Sequence, residues 1–210
     1  MRDQMMTFLA AGHETTAASM TWAIRTLSQP ENRHTQSRPC AEIHAAFPSG
    51  LPITVTYDQT PSLKYLSHIT SEVLRLYPPV GVTLRVVTED VSLNGAFVPK
   101  GTFIVLSSFA INRSVVLWGV GAEEFRPEWW ACGEDGAAVV ESNYRFLTFL
   151  AGPMGCIGNV FAKVEFKCLL VVAISRFEFE QVERELVVKA GITSKPQGGI
   201  PVSVKEVVWG

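Results

Sequence analysis

The feature that most constrains this chain is the ten-residue run 149–158, with the sequence FLAGPMGCIG. Three glycines surround a single cysteine, Cys156, and an apolar run with helical spacing begins at Asn159. Because glycine carries no side chain, a flat ligand could come close to this backbone. A thiolate at a helix start is stabilised by free backbone N–H groups and by the helix dipole. The run therefore predicts a loop that presents one thiolate at a helix N-terminus.

Two interpretations of Cys156 are open at this level. A lone thiolate cannot build a zinc or iron–sulfur site, but it is sufficient as the axial ligand of a haem iron. A single cysteine in a hydrophobic protein is also commonly a small buried apolar side chain. The other cysteines are Cys40, Cys132 and Cys168, and no two of the four form a C-x-x-C pair. This spacing argues against a zinc ribbon, a dithiol redox site or a disulfide framework.

Composition limits the classes of function. Hydrophobic residues make up 47% and charged residues 18% of the 210 residues, so the chain either buries a large apolar surface or lacks a partner surface that would cover it. The net charge is -2 and no basic stripe accompanies the aromatic residues, which argues against nucleic-acid binding. The longest apolar runs are far shorter than the roughly 18 residues of a membrane span. We therefore expect no membrane-spanning helix in this chain.

The order of helical and strand patterns predicts a mixed α+β fold that is mainly α. Long helices are expected over 2–28 and 159–176, and a third over 61–76. A weaker helix is expected over 31–46, because Pro39 lies in its middle and an interior proline costs about 3 kcal/mol. No linker is visible, so 1–210 is expected to form one unit. The remaining segments are a small β region over 80–106 with a tight turn at Asn94-Gly95, an irregular stretch over 112–148, and closing strands near 177–182 and 202–208.

The long first helix contains the sequence AGHETT at residues 11–16. Gly12 leaves a notch on one face, and Glu14 and Thr15 follow on the same turn. A notch, an alcohol and a carboxylate can hold a small ligand and relay protons to it. An ordinary helix with two adjacent threonines gives the same pattern, so this motif alone leaves both interpretations open.

The third helix carries Glu72 and Arg75, and side chains three residues apart share one helix face. Such a pair is usually a solvated salt bridge worth at most about 1 kcal/mol. The flanking sequence LYPP at 76–79 favours a buried pair instead. The sequence FRPEW at 125–129 lies in the irregular stretch and by itself indicates no structure or function.

In this order, four segments resemble the cytochromes P-450, the haem-thiolate monooxygenases. They are AGHETT at 11–16, Glu-x-x-Arg at 72–75, FRPE at 125–128 and F-x-x-G-x-x-x-C-x-G at 149–158. The similarity extends over essentially the whole chain and is greatest to fungal members of secondary metabolism. It implies the C-terminal, haem-ligand half of the P-450 fold, and oxygen insertion into a lipophilic small molecule.

The resemblance also implies a role for each residue of the cysteine loop. Cys156 would be the axial thiolate of the haem iron, and its electron donation favours O–O cleavage in this class. Phe149 would pack beside the loop and shield the sulfur. Gly152 and Gly158 would allow the porphyrin to approach the backbone.

On the other face of the haem, Thr15 and Glu14 would deliver protons, while Ala11 and Gly12 would form the oxygen notch. The remaining implied roles lie away from the iron. Arg85 matches the family position that pairs with a haem propionate, and Glu72 and Arg75 would be structural.

Two departures from the family pattern carry expectations of their own. Met154 stands where the family usually has Arg or His, which removes a charge-assisted bond to a propionate worth roughly 1.5–3 kcal/mol. Trp129 stands where Arg or His usually completes a buried cluster with Glu72 and Arg75. An indole offers one neutral hydrogen-bond donor and no charge, so the Glu72 and Arg75 pair is expected to lack hydrogen-bond partners.

The family pattern is about twice as long as this chain, which implies a truncated P-450 without its membrane anchor. An active chain would receive electrons from a reductase. Family members lie at the endoplasmic reticulum membrane, whereas this chain would be cytoplasmic or loosely membrane-associated. The alternative is an inactive remnant that binds haem weakly or not at all. A haem protein that uses peroxide, or rearranges its substrate without a reductase, is a third possibility.

Overall fold

The computed structural model describes residues 1–50, 53–131, 144–189, 191 and 193–207. Within these residues the fold is mainly α, with short antiparallel strands. The helices are α1 (Arg2–Ser28), α2 (Arg33–Ala46), α3 (Lys64–Leu76), α4 (Ser108–Ile111), α5 (Val115–Trp118) and α6 (Asn159–Arg176), with 3-10 turns at Pro30–Asn32, Tyr57–Ser62, Pro127–Trp130 and Gly152–Met154. The strands are β1 (Thr83–Val86), β2 (Val91–Leu93), β3 (Ala96–Val98), β4 (Phe103–Leu106), β5 (Phe177–Gln181), β6 (Val188–Lys189), β7 (Lys195–Pro196) and β8 (Val202–Glu206).

The two long helices, α1 and α6, span the ranges expected from their apolar spacing. Helix α1 ends before Pro30, because proline disfavours helical backbone at Gln29, which is extended with φ -67° and ψ 140°. The buried residues of α1 all lie from Thr16 onward, so its first half is exposed. Helix α6 begins immediately after the cysteine loop and packs against α1, α2 and α3.

The hydrophobic core lies where α1, α2, α3 and α6 meet. Trp22 of α1 stacks on Tyr77, which follows α3, with ring centroids 4.4 Å apart and planes within 5°. This contact fixes α1 against the end of α3. The fully buried side chains of the core include Leu27, Ile43, Leu66, Ile69, Val73, Phe166, Leu170 and Ile174.

Helix α2 continues through Pro39 without a break. Its first half is held by Gln36, whose amide N–H donates to the carbonyls of Leu27 at 2.7 Å and Phe179 at 2.9 Å. The Gln36 oxygen in turn accepts from the Phe179 backbone N–H at 3.1 Å. These buried bonds tie α2 to α1 and β5, so tertiary contacts hold the helix that the proline weakens.

The strands form four two-stranded antiparallel sheets, β1–β4, β2–β3, β5–β8 and β6–β7. Asn94 and Gly95 join β2 to β3 with φ values of 48° and 84°, as a tight hairpin turn requires.

Helix α3 begins at Lys64 rather than at 61, because Pro61 belongs to the preceding 3-10 turn. The described part of the expected irregular stretch contains α5 and one 3-10 turn, and Cys132 lies outside the described residues. In the described part of the chain, no helix is both long and apolar enough to cross a bilayer.

Candidate functional site

A cavity of about 290 Å³ is formed by α1, α6, the end of α3 and the cysteine loop. This volume is at the lower end of small-molecule pockets, which hold about 300–1,000 Å³. The wall is mostly apolar, and its polar groups are chiefly hydroxyls. Lining residues are Ala11, Thr15, Thr16, Ser19, Leu74, Pro79, Val80, Thr83, Ser108, Thr148, Phe149, Leu150, Met154, Cys156, Ala162 and Phe166.

The loop that carries Cys156 is folded back on itself. The Cys156 backbone N–H donates to the Phe149 carbonyl at 2.9 Å, which brings both side chains to the cavity wall. Gly152 has a φ of +67°, a left-handed conformation that favours glycine. A Cβ at Gly158 would lie 3.9 Å from the Cys156 sulfur, so the glycine leaves the space beside that atom open. The loop therefore presents an exposed thiol to the cavity.

Helix α1 supplies the wall that carries the hydroxyls. The Thr15 hydroxyl donates to the Ala11 carbonyl at 2.6 Å, and the Ser19 hydroxyl donates to the Thr15 carbonyl at 3.0 Å. Side-chain bonds of this kind compete with the helix's own hydrogen bonds and can bend it. Gly12 is exposed and is not among the lining residues of the cavity, and no atom lies within 4 Å of a Cβ built on it, so the oxygen notch stays a prediction. Ala11 and Thr15 thus share one cavity with Cys156, as their predicted roles require.

Glu14 is not among the lining residues of this cavity. Its Oε1 accepts from the Lys195 ammonium and from the Thr193 hydroxyl, both at 2.9 Å. The Lys195 bond, and then the Thr193 bond, lower the pKa of the Glu14 carboxyl. Neighbouring helix residues point about 100° apart, so Glu14 and Thr15 face different surroundings. Joint action of Glu14 and Thr15 toward one ligand stays a prediction.

Arg85 lies on β1 next to the cavity wall and is half-buried. Its Nη1 donates to the Thr83 hydroxyl at 3.1 Å and to the Leu84 carbonyl at 2.8 Å. Thr83 lines the cavity, so these bonds fix the guanidinium beside a lining residue. Pairing of Arg85 with a propionate stays a prediction.

The pair Glu72 and Arg75 is fully buried, and every N–H of the guanidinium has a partner. Nε and Nη2 donate to the Glu72 carboxylate at 2.7 and 2.8 Å. Nη1 donates to the carbonyls of Asn112 and Ala122, and Nη2 also donates to the Glu124 carbonyl. Arg75 therefore fastens α3 to the irregular stretch, in agreement with a structural role.

The carboxylate of Glu72 also has a full set of hydrogen-bond donors. The expectation that this pair lacks hydrogen-bond partners is therefore wrong. In addition to Arg75, it accepts from the Arg126 backbone N–H at 2.8 Å and from the Trp130 indole N–H at 2.9 Å. The Trp129 indole nitrogen is buried, and among the described residues it has no hydrogen-bond partner. Consecutive side chains in the 3-10 turn Pro127–Trp130 point in different directions. The indole of Trp130 therefore reaches the Glu72 carboxylate and the indole of Trp129 does not.

Phe149 is held by aromatic contacts that lead back to this buried cluster. Its ring meets Phe146 edge-on at 6.5 Å, and Phe146 meets Trp130 edge-on at 5.0 Å. The Lys163 ammonium lies 5.3 Å from the Phe149 ring centroid, and partial burial lowers the Lys163 pKa. The side chain that borders the cysteine loop is thus fixed by packing from two directions.

Two further polar residues at the site did not emerge from the sequence analysis. Thr16 lines the cavity with 7% of its surface exposed, and its hydroxyl donates to Glu165 Oε2 on α6 at 3.0 Å. Glu165 is the only acidic residue of α6, an otherwise largely apolar helix. That isolated carboxylate is the sequence signal that could have identified it.

The donor set of the cavity fits a haem. One exposed thiol faces an apolar space, helix α1 forms part of the wall, and a guanidinium lies beside the rim. Met154 lines the cavity with 64% of its surface exposed, so it contributes a neutral thioether where the family pattern has a cation. Cys156 would hold the iron, and Arg85 would be the nearby cation for a propionate.

Comparison with known proteins shows the family of this chain. The sequence profile described as Cytochrome P450 matches residues 1–200. Cytochrome P450 monooxygenase sphH of Aspergillus fumigatus is 41% identical over 94% of this chain and 37% of its own length. Cytochrome P450 monooxygenase FUM15 of Gibberella moniliformis is 36% identical over 98% of this chain and 42% of its own length. Cytokinin hydroxylase of Arabidopsis thaliana is 37% identical over 98% of this chain and 38% of its own length. The chain spans about two fifths of the length of these curated relatives. It belongs to the cytochrome P450 family.

Proposed function

We propose that this chain forms the haem-ligand part of a haem-thiolate monooxygenase that inserts oxygen into a lipophilic small molecule, in fungal secondary metabolism. The observation that carries the proposal is the shared cavity of Cys156 and Thr15. Several fungal relatives are named cytochrome P450 monooxygenases, which supports the reaction class.

In this proposal the haem, when bound, supplies oxygen activation with electrons from a reductase, and thiolate donation favours O–O cleavage. Cys156 binds the iron, and Phe149 limits access of water to the sulfur. Arg85 neutralises a propionate at the rim. Ala11 and Gly12 leave room for a small ligand beside α1, where Thr15 offers a hydroxyl.

The chemistry of the wall supports a lipophilic substrate. Leu74, Val80, Leu150 and Phe166 contribute apolar side chains to the cavity. Burial of apolar surface stabilises binding by about 25 cal/mol per Å², so a hydrocarbon-rich ligand gains most here. By family resemblance we place the working enzyme at the endoplasmic reticulum membrane.

The test is the carbon monoxide difference spectrum of the haem-loaded, reduced chain. We expect the far-red-shifted Soret band that thiolate ligation gives. Cys156→Ser should abolish that band. Cys168→Ser, which changes a half-buried thiol on α6, is the matched control and should retain it. A folded, haem-replete wild type without the band would refute the proposal.

A second candidate is a chain that folds but retains haem weakly or not at all. The observation that favours it is the exposure of large apolar side chains next to the site. Ile157 is 86% and Phe161 70% exposed beside Cys156, and Phe8 and Leu9 are exposed on α1. Gel filtration after haem loading separates the two candidates, since this one predicts a folded protein peak that carries no Soret absorbance.

A further inference from the structure

Lys163 of α6 holds its ammonium against two aromatic rings beside the cysteine loop. Its Nζ lies 5.3 Å from the centroid of the Phe149 ring and 5.8 Å from the centroid of the Phe146 ring. The two rings meet edge-on at 6.5 Å, so they form one apolar surface for the charge. Lys163 is half-buried, and one of its two rings belongs to the side chain that borders Cys156.

No carboxylate offsets this charge in the part of the chain that the structure describes. Lys163 has no ion pair there, and burial alone lowers its pKa. Lys167, one turn further along α6, differs because its ammonium donates to the Thr60 carbonyl at 3.0 Å and is attracted by Glu42. Burial of an unpaired cation costs free energy, and cation–π attraction returns only about 0.5–2 kcal/mol. A cation kept in such a position indicates a use for its charge.

The charge of Lys163 lies next to the loop that presents the thiol. Lys163 is in the second turn of α6, the helix that begins immediately after this loop. The Phe149 carbonyl accepts from the Cys156 backbone N–H at 2.9 Å, and both side chains line the cavity. Apolar rings separate the ammonium from the cavity, so its field is screened less than it would be in water. A cation at this place stabilises a bound group more when that group carries an additional electron.

We propose that the ammonium of Lys163 raises the reduction potential of a haem iron bound to Cys156, acting across the ring of Phe149. The inference rests on the proposed function, because it requires iron on that sulfur. Lys163 is not among the lining residues of the cavity, so it is a positioning residue. It acts by its charge and itself transfers neither a proton nor an electron.

The size of the effect follows from the charge and its surroundings. A unit charge acting over roughly 10 Å at an effective dielectric constant of about 20 changes a one-electron equilibrium by on the order of tenfold. For one electron, tenfold corresponds to about 59 mV. Lys163→Met removes the charge but keeps a long unbranched side chain against the rings, so it should lower the potential by about this amount. Lys163→Arg keeps the charge and should stay close to the wild type.

The first experiment tests the contact in the folded, haem-free chain by NMR of the lysine Cε methylene groups. Lys163→Met should remove one signal, which identifies the residue. In the wild type that signal should be shifted by the ring currents, and Phe149→Leu should move it toward the position of exposed lysines. The signal of Lys167 should not move. A Lys163 signal at the exposed position in the wild type would overturn the inference, because the ammonium would not lie on the rings.

The second experiment measures the midpoint potential of the haem-loaded chain by spectroelectrochemical titration. No reductase is present, so a change in partner binding cannot alter the result. Lys163→Met should show the lowered potential and Lys163→Arg should not. The matched control is Lys167→Met, which removes an ammonium from the same helix and should stay close to the wild type.

The outcomes separate this inference from the proposed function. A lowered potential in Lys163→Met alone, with a normal carbon monoxide band, supports the inference. An unchanged potential in Lys163→Met, or an equal fall in Lys167→Met, would overturn it while leaving the haem-thiolate assignment intact. A wild type without the band would refute the proposed function, and this inference with it.

Discussion

The two adjacent tryptophans of the irregular stretch provide a sharp test of the buried cluster around Glu72. The Trp130 indole donates to the Glu72 carboxylate at 2.9 Å, whereas the buried Trp129 indole nitrogen has no partner among the described residues. Trp130→Phe should therefore remove a bond to a buried charged group, whereas the donor that Trp129→Phe removes has no partner among the described residues. Both substitutions replace an indole by a phenyl ring, and both residues are half-buried.

The expected magnitude follows from the charge and burial of the acceptor. A hydrogen bond to a charged group contributes about 1.5–3 kcal/mol, and Glu72 is fully buried. Trp130→Phe should lower the free energy of unfolding by about that amount. Removing the unpaired donor of Trp129 relieves a desolvation penalty, so Trp129→Phe should leave stability unchanged or raise it.

Urea unfolding at neutral pH, followed by far-UV circular dichroism, measures both variants. With a slope of about 2 kcal/mol per molar, the midpoint of Trp130→Phe should fall by on the order of 1 M. The Trp129→Phe midpoint should stay at or above that of the wild type. Equal destabilisation by the two substitutions would refute the assignment of Trp130 as the donor.

Three other predictions test separate parts of the structure. Phe166→Ala removes a ring that is 1% exposed in the core, so it should lower the free energy of unfolding by about 3–5 kcal/mol in the same assay. Met154→Arg restores a cation at the rim and should slow haem loss to apomyoglobin roughly tenfold; an unchanged loss rate would contradict the role given to that position. The Lys195 bond lowers the Glu14 pKa below its ordinary 4.5, so the pair stabilises the fold above that pH and loses its effect as the pH falls through the lowered pKa. The difference in free energy of unfolding between wild type and Glu14→Gln should therefore shrink as the pH is lowered. A constant difference from pH 7 to 3 would contradict this.

The parts of the fold that local rules determine were accessible from the sequence. Apolar spacing and the proline after Gln29 predict α1, and the cysteine loop marks the start of α6. Asn94-Gly95 predicts the β2–β3 turn because few other residues adopt its positive φ values. The single thiol of Cys156 and its glycines identify the loop that borders the cavity.

The remaining features depend on contacts between distant segments. Glu14 meets Lys195 across 181 residues, and Thr16 meets Glu165 across 149, so no local pattern links either pair. Whether Trp129 or Trp130 donates to Glu72 depends on how the 3-10 turn Pro127–Trp130 is rotated relative to α3. Family resemblance pointed to the neighbouring position, because it gives the order of residues but not the direction of their side chains.

The central claim is that the sulfur of Cys156 binds a haem iron in this cavity. Iron X-ray absorption on the haem-loaded chain measures the first coordination shell directly, with Cys156→Ser as the comparison. The account predicts one sulfur scatterer in the wild type and none in the variant. A wild-type shell of nitrogen and oxygen alone, in folded protein with stoichiometric haem, would contradict it.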